Sequence, residues 1–185
     1  MIPNQRDLFS LPEDVAYLNC AYTAPLMKTA EAAGRRALAQ KAAPWQLTAG
    51  HFFETIHANR RLFSRIIASP AAHVALIPSV SYGVALAAHN IPVAAGQKIV
   101  VLQDQFPSNV YAWRRRALDT GAALATVARP PDSDWTSALI DVIDTDTAIA
   151  ALPHCHWTDG TLIDLVAVGA RCREVGAALV VDGTQ

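Results

Sequence analysis

Cysteine is scarce in this chain. Cys20, Cys155 and Cys172 form an odd set with no paired spacing, which argues against a disulfide framework and points to a reducing cytoplasm. Net charge is nearly absent as well. The 15 basic and 16 acidic residues leave -1, a balance that gives no support to nucleic-acid or polyanion binding. No segment is long and apolar enough to span a membrane. The opening MIPNQRDLFSLPEDV carries charges where a signal peptide needs an apolar run. Several nucleotide and hydrolase signatures are missing too. There is no GxGxxG for a dinucleotide, no Gly-Lys-Ser/Thr for a P-loop, and no GxSxG nucleophile elbow. No internal repeat or low-complexity tract is present.

What the chain has is core material. Hydrophobic residues make up 52% of its 185 positions and charged ones 17%, enough for one domain or a large part of one. Residues 1–26 read as irregular, with Pro3, Pro12 and Pro25 as breakers. An Ala-rich helix is predicted from Met27 to Ala42. A second is predicted from Trp45 to Ala68, where Phe52, Phe53, Ile56, Leu62, Phe63, Ile66 and Ile67 recur at helical spacing.

From there strands and helices alternate. Strands are predicted at His73–Ile77, Lys98–Leu102, Ala123–Ala128, Thr147–Leu152 and Ala178–Val181. Helices are predicted at Val80–His89, Ser108–Thr120, Trp135–Ile143 and Thr161–Val175. Ser79 and Asp134 serve as N-caps, and Gly121 and Gly176 close two of the helices. This alternation predicts a three-layer α/β fold, a mostly parallel sheet with helices on both faces. The last strand reads as buried and central.

Ligands in such sheets bind beyond the carboxyl ends of the strands, so the loops there carry the chemistry. PSVSYG, from Pro78, puts two serines at a helix start, where free amides and the helix dipole favour a phosphate; Ser79 as a plain cap is the competing role. QDQFPSN places Phe106 past a strand end, either as core or as a flat surface for a planar ligand. PHCHWTDG gathers His154, Cys155, His156, Trp157 and Asp159. No other His/Cys/Asp pair has ligand spacing, so no metal is expected and Cys155 reads as a buried thiol. Asp182 ends the last apolar run, as a helix cap or as a ligand group, with Gln185 close behind. An anion site, an aromatic plate, a polar-aromatic cluster and a carboxylate together suit pyridoxal 5'-phosphate (PLP), whose protonated ring nitrogen a carboxylate would hold.

With these residues in view, the chain resembles the class V aminotransferase family of fold type I PLP enzymes. ALIPSVSYGVALAA is similar to the family's phosphate turn, QFPSNVYAW to its ring-stacking loop, and HCHWTDGTLIDL with ALVVDGTQ to its most specific pair of segments. The resemblance implies that Ser81 and the backbone at Tyr82 hold the phosphate and that Phe106 stacks on the ring. It further implies that Asp182 meets the ring nitrogen, with Gln185 and Trp157 near the phenolic oxygen. YLNCAYTAPL, which contains Ala21 and Tyr22, resembles the segment lining the substrate site.

Residues 1–26 would then be that segment and 27–185 part of the PLP-binding large domain. The rest of the large domain and a C-terminal small domain would lie outside the chain. The family's Schiff-base lysine follows the Asp strand, and none of Lys28, Lys41 and Lys98 sits at a matching position. Desulfurases of the family usually stack a His on the ring. Phe106-Pro107 looks more like kynureninases and isopenicillin N epimerase-like members. The resemblance implies an amino-acid substrate, with transamination, epimerisation or side-chain cleavage, and a homodimer. A non-catalytic α/β module binding a small phosphorylated ligand, and a desulfurase-like lyase, are the competing functions.

Overall fold

A computed structural model describes residues 2–185. The chain divides into two compact units, Met1–Leu76 and Ile77–Gln185.

The first unit is built on helices α1 (Lys28–Lys41) and α2 (Ala49–Ile66), with short 3-10 turns at Arg6–Leu8, Pro44–Gln46 and Ala71–His73. Trp45 thus falls in a separate turn, and α2 starts at Ala49 after Thr48, whose amide donates to His51 Nδ1 at 3.0 Å. The strand predicted at His73–Ile77 does not form. Ala71–His73 coils into the 3-10 turn, and the Arg60 guanidinium takes the carbonyls of Val74 (2.7 Å) and Ala71 (2.9 Å). A side chain therefore occupies an acceptor that a strand ladder would need.

The second unit contains α3 (Val80–Asn90), β1 (Lys98–Leu102), α4 (Tyr111–Thr120), β2 (Ala123–Val127), α5 (Trp135–Val142), β3 (Thr147–Pro153), α6 (Leu165–Val175) and β4 (Ala178–Asp182). Its four strands are all parallel, in the order β2-β1-β3-β4. Side chains alternate between the two faces of the sheet. Val100, Leu102, Ala150 and Leu152 pack with Trp135 and Leu139 of α5 and Val168 and Cys172 of α6. Ile99, Val101 and Ala151 pack with Val84 and Ala88 of α3 and Trp113 and Ala117 of α4. Ala148 and Ile149 join this second cluster together because the β1–β3 register slips by one residue between Lys98 and Ile99. The result is a three-layer α/β/α unit, as the alternation predicts.

Three further expectations change. The helix predicted from Ser108 starts at Tyr111, because Pro107–Asn109 forms a separate 3-10 turn. The last helix starts at Leu165, not Thr161, because Leu162 bridges back to Cys155 and the Asp164 carboxylate caps the Val166 and Ala167 amides at 2.9 and 3.0 Å. The strand β4 is also not central among the described residues. It pairs only with β3, and Val181 is 44% exposed. One covered flank leaves Ala178–Val180 half-buried instead of buried.

Candidate functional site

The strand order reverses between β1 and β3: β2 lies on one side of β1 while β3 and β4 lie on the other. Such a switch point opens a crevice at the carboxyl ends, flanked by the loops that follow the two strands. Those loops hold Phe106 and Trp157, and the structure brings the two rings together. Their centroids lie 5.4 Å apart at 89°, an edge-to-face contact. The Trp157 indole N–H donates to the Asp104 carbonyl at 2.7 Å. Asp104 has a φ of 53°, a left-handed conformation that Asp tolerates better than most residues, and it presents that carbonyl to the loop after β3. Phe106 is 43% exposed and Trp157 46%, so neither ring is spent on the core.

Helix α3 reaches the same loop. Ser79 is its N-cap, its Oγ accepting from the Tyr82 amide at 3.2 Å, and its carbonyl accepts from Gly83. That leaves the Val80 and Ser81 amides as the unpaired donors of the first turn among the described residues. Ser79 therefore fills the capping role, and the anion-binding capacity lies one step further on. Ser81 Oγ donates to Ser108 Oγ at 3.0 Å, tying this turn to the loop that carries Phe106.

Asp182 stands opposite Pro153 in the β3–β4 register, and its carbonyl accepts from the His154 amide at 3.4 Å. It lies at the foot of the loop bearing Trp157. Its Oδ1 accepts from the amide (3.1 Å) and hydroxyl (2.6 Å) of Thr184, a local turn and not a helix cap. Its Oδ2 has no partner among the described residues. Gln185 follows, exposed. Ala21 and Tyr22 lie in the first unit, in a turn closed by Tyr17 Oη donating to the Thr23 carbonyl. Cys155 is only partly buried, where a buried thiol was expected.

Sequence reasoning missed Arg129 and gave His156 no role of its own. Arg129 follows β2 and pairs with Asp159, while its Nη2 donates to Thr158 Oγ1 at 2.8 Å. His156 is fully buried and stacks on Trp135 at 5.2 Å and 7°. The Arg129 guanidinium lies 5.5 Å from the centre of that same Trp135 ring. The Thr161 amide, with the Arg129 guanidinium beside it, holds the Asp159 carboxyl down at about 2 against the partial burial that pushes it up. These partners sit 27 to 30 residues apart, so no local period announces them; the only sequence signal was the polar cluster His154–Asp159 itself.

A family model for class V aminotransferases matches residues 23–185. An uncharacterized aminotransferase of Bacillus subtilis, YcbU, is 27% identical over 128 residues, covering 68% of this chain and 33% of YcbU. A cysteine desulfurase of Escherichia fergusonii is 27% identical over 136 residues, covering 71% of this chain and 33% of that protein. Among solved structures, a lysine-to-alanine variant of the cystine C–S lyase C-DES, with glycine covalently linked to its PLP cofactor, superposes with a TM-score of 0.84 at 17% identity. That match covers 98% of this chain and 50% of C-DES. The Escherichia coli cysteine desulfurase CsdA superposes with a TM-score of 0.81 at 20% identity, covering 97% of this chain and 48% of CsdA. The chain spans about one third of the length of these curated relatives and about half that of the two solved structures. The residues that could take a ring, an anion and a ring nitrogen thus sit on the fold of those lyases and desulfurases, and the chain belongs to the class V aminotransferase family of PLP-dependent enzymes.

Proposed function

We propose that this chain supplies the cofactor-binding layer of a longer PLP-dependent enzyme acting on an amino acid. The observation that carries the reading is Asp182: a half-buried strand-end carboxylate with one oxygen tied to Thr184 and the other unpartnered among the described residues. The residues present suit the cofactor. Phe106 and Trp157 offer accessible aromatic surface, and the α3 first turn offers free amides with the Ser81 hydroxyl. Bound PLP supplies an electron sink for charge that develops on the substrate's α-carbon.

In this reading Asp182 keeps the ring nitrogen protonated, and Phe106 lies against the ring. Ser81 and the backbone around Tyr82 hold the phosphate. Trp157 and Gln185 reach toward the phenolic oxygen, and Ala21 and Tyr22 line the substrate. The Schiff-base lysine, the arginine gripping the substrate carboxylate and a C-terminal small domain are assigned to the part of the enzyme beyond this chain. A homodimer fits the large apolar side chains that α1 and α2 expose, among them Leu38, Phe52, Phe53 and Ile66, and the scarce, unpaired cysteines suit a cytoplasmic location.

A Phe plate carries no nitrogen to move a proton, so the loop after β1 contributes stacking without acid–base chemistry. This favours transamination, epimerisation or carbon–carbon cleavage. Cysteine desulfuration is the second reading, favoured by the 27% identity to desulfurases. Release of sulfur from cysteine by the purified enzyme separates the two. The central test is Asp182→Asn in the full-length enzyme at saturating PLP. Losing a charge-assisted hydrogen bond in a dry site costs about 1.5–3 kcal/mol, so turnover should fall roughly 10- to 100-fold with a smaller change in PLP affinity. Unchanged turnover would remove Asp182 from the ring, and failure of the wild type to bind PLP would leave the non-catalytic module.

A further inference from the structure

Arg129, His156, Thr158 and Asp159 have no part in the assignment above, yet they make the densest set of side-chain bonds at this end of the sheet. Their position along the chain is informative, because His156 and Thr158 are the immediate neighbours of Trp157. His156 Nε2 faces the Gln103 carbonyl at 3.1 Å, so that nitrogen carries the proton and donates. Nδ1 is then an acceptor, and the Thr158 hydroxyl sits 2.9 Å from it. The same hydroxyl accepts from Arg129 at 2.8 Å. A single directed chain results, from Arg129 through Thr158 and His156 to the backbone of the loop after β1.

Gln103 closes this chain on the other side. Its amide donates to the Val127 carbonyl at 2.8 Å, and its Oε1 accepts from the Arg129 amide at 2.9 Å. The loops after β1, β2 and β3 are thereby joined in one circuit. Asp159 adds an ion pair to Arg129 and accepts from the Thr161 amide at 2.9 Å. Inside the loop, the His156 amide donates to the Thr161 carbonyl and the Gly160 amide to the His156 carbonyl, both at 2.9 Å.

We propose that Arg129 is a positioning residue: by gripping the consecutive Thr158 and Asp159 just after Trp157, it fixes the Trp157 indole against Phe106 and so sets the surface on which the cofactor ring lies. A planar fork suits this task, since it reaches a carboxylate and a hydroxyl at once, which an ammonium on a flexible stem does not. A site must be held within a fraction of an ångström, and a displacement of about 1 Å from a remote change can cost as much as about 100-fold. The proposal rests on the ring-site reading for its cofactor effect, but its effect on the loop stands independently.

The experiment uses the full-length enzyme with Arg129→Met, Arg129→Lys, Asp159→Asn, Trp157→Ala and the double variant Arg129→Met/Trp157→Ala. Arg171→Met is the control, because Arg171 bonds the Ile143 carbonyl and Glu174 near the opposite, amino end of β3. Hydrogen exchange at the His156 and Gly160 amides, PLP affinity by absorbance titration and thermal stability are read for each. Arg129→Met should speed exchange at both amides and weaken PLP binding by about tenfold, and Asp159→Asn should act in the same direction. Arg129→Lys should recover part of both losses. In the Trp157→Ala background, Arg129→Met should change PLP affinity by less than about twofold, because its route of action is already gone.

Overturning results are loop exchange and PLP affinity unchanged by Arg129→Met, or an affinity loss that adds fully to that of Trp157→Ala. An equal affinity loss in Arg171→Met at matched stability would also show that general loosening explains the effect. A wild type that binds no PLP sinks the ring site instead, and the exchange measurements then still decide whether Arg129 holds the loop.

Discussion

Phe106 is where the chemistry of one residue narrows the proposed function most. Edge contact with Trp157 turns its ring, and its exposure leaves surface for a ligand. An aromatic stack is worth about 0.5–1.5 kcal/mol beyond area, so Phe106→Ala should weaken PLP binding roughly 2- to 13-fold while Phe106→His keeps most of the affinity. Absorbance titration of the full-length enzyme checks both. Asp159 gives a pH prediction. Its carboxyl is held at about 2, below the unfolded value of 3.8, so the folded state binds protons less readily. Its stabilising contribution is complete above the unfolded value and disappears as pH falls through the folded one. The stability difference between wild type and Asp159→Asn should therefore be constant near neutral pH and shrink from roughly pH 4 toward pH 2, read by denaturant unfolding at each pH. The positions of Asp182, Phe106 and Trp157 past strand ends were legible in the sequence because apolar runs precede them; the roles given to them here are proposals. Arg129 was not legible, because its value comes from a partner on another loop, and sequence separation hides that meeting.

At the scale of elements, the parallel strands were legible because their apolar runs are short and bounded by Gly, Pro and polar turns. The boundaries of β1 were read as observed, and Asp134 caps α5 by accepting from the Ser137 amide. Failures came where a tertiary contact outbid a local pattern. His73–Ile77 has strand-like residues, but Arg60 consumes the Val74 carbonyl. Residues 161–163 look helical, but the Cys155–Leu162 bridge and the Ile163 amide, which donates to the His154 carbonyl, hold them extended. That places the start of α6 on Asp164, which leads to a prediction. Asp164→Ala removes an acceptor from two amides and should cost about 0.5–2 kcal/mol, whereas Asp164→Asn caps nearly as well and should be close to neutral. Chemical denaturation of the two variants compares them; equal losses would show that the carboxylate's charge matters more than its capping geometry.

At the scale of the whole molecule, β4 decides what the chain can do by itself. Its inner flank pairs with β3 from Ile149 to Pro153, and its outer flank has no partner among the described residues. Val181 is exposed beside Asp182, the residue on which the proposed function rests. An unpaired apolar strand edge is a template for association. If the longer enzyme proposed here exists, a further strand belongs on that flank, placing Asp182 inside the sheet and bringing a lysine toward it. The 185-residue chain made by itself should then self-associate as concentration rises and show no turnover. Val181→Lys should suppress that association, because a charge on an edge disfavours pairing. In the full-length enzyme the same substitution should act the opposite way. It would bury an uncompensated charge, at a cost of roughly 3–5 kcal/mol, and lower both stability and PLP occupancy. Sedimentation of the short chain and denaturation of the long one measure the two effects. A lysine at 181 that leaves full-length stability unchanged would mean the flank stays open to water, and with it would go the reason to place Asp182 in an enclosed site.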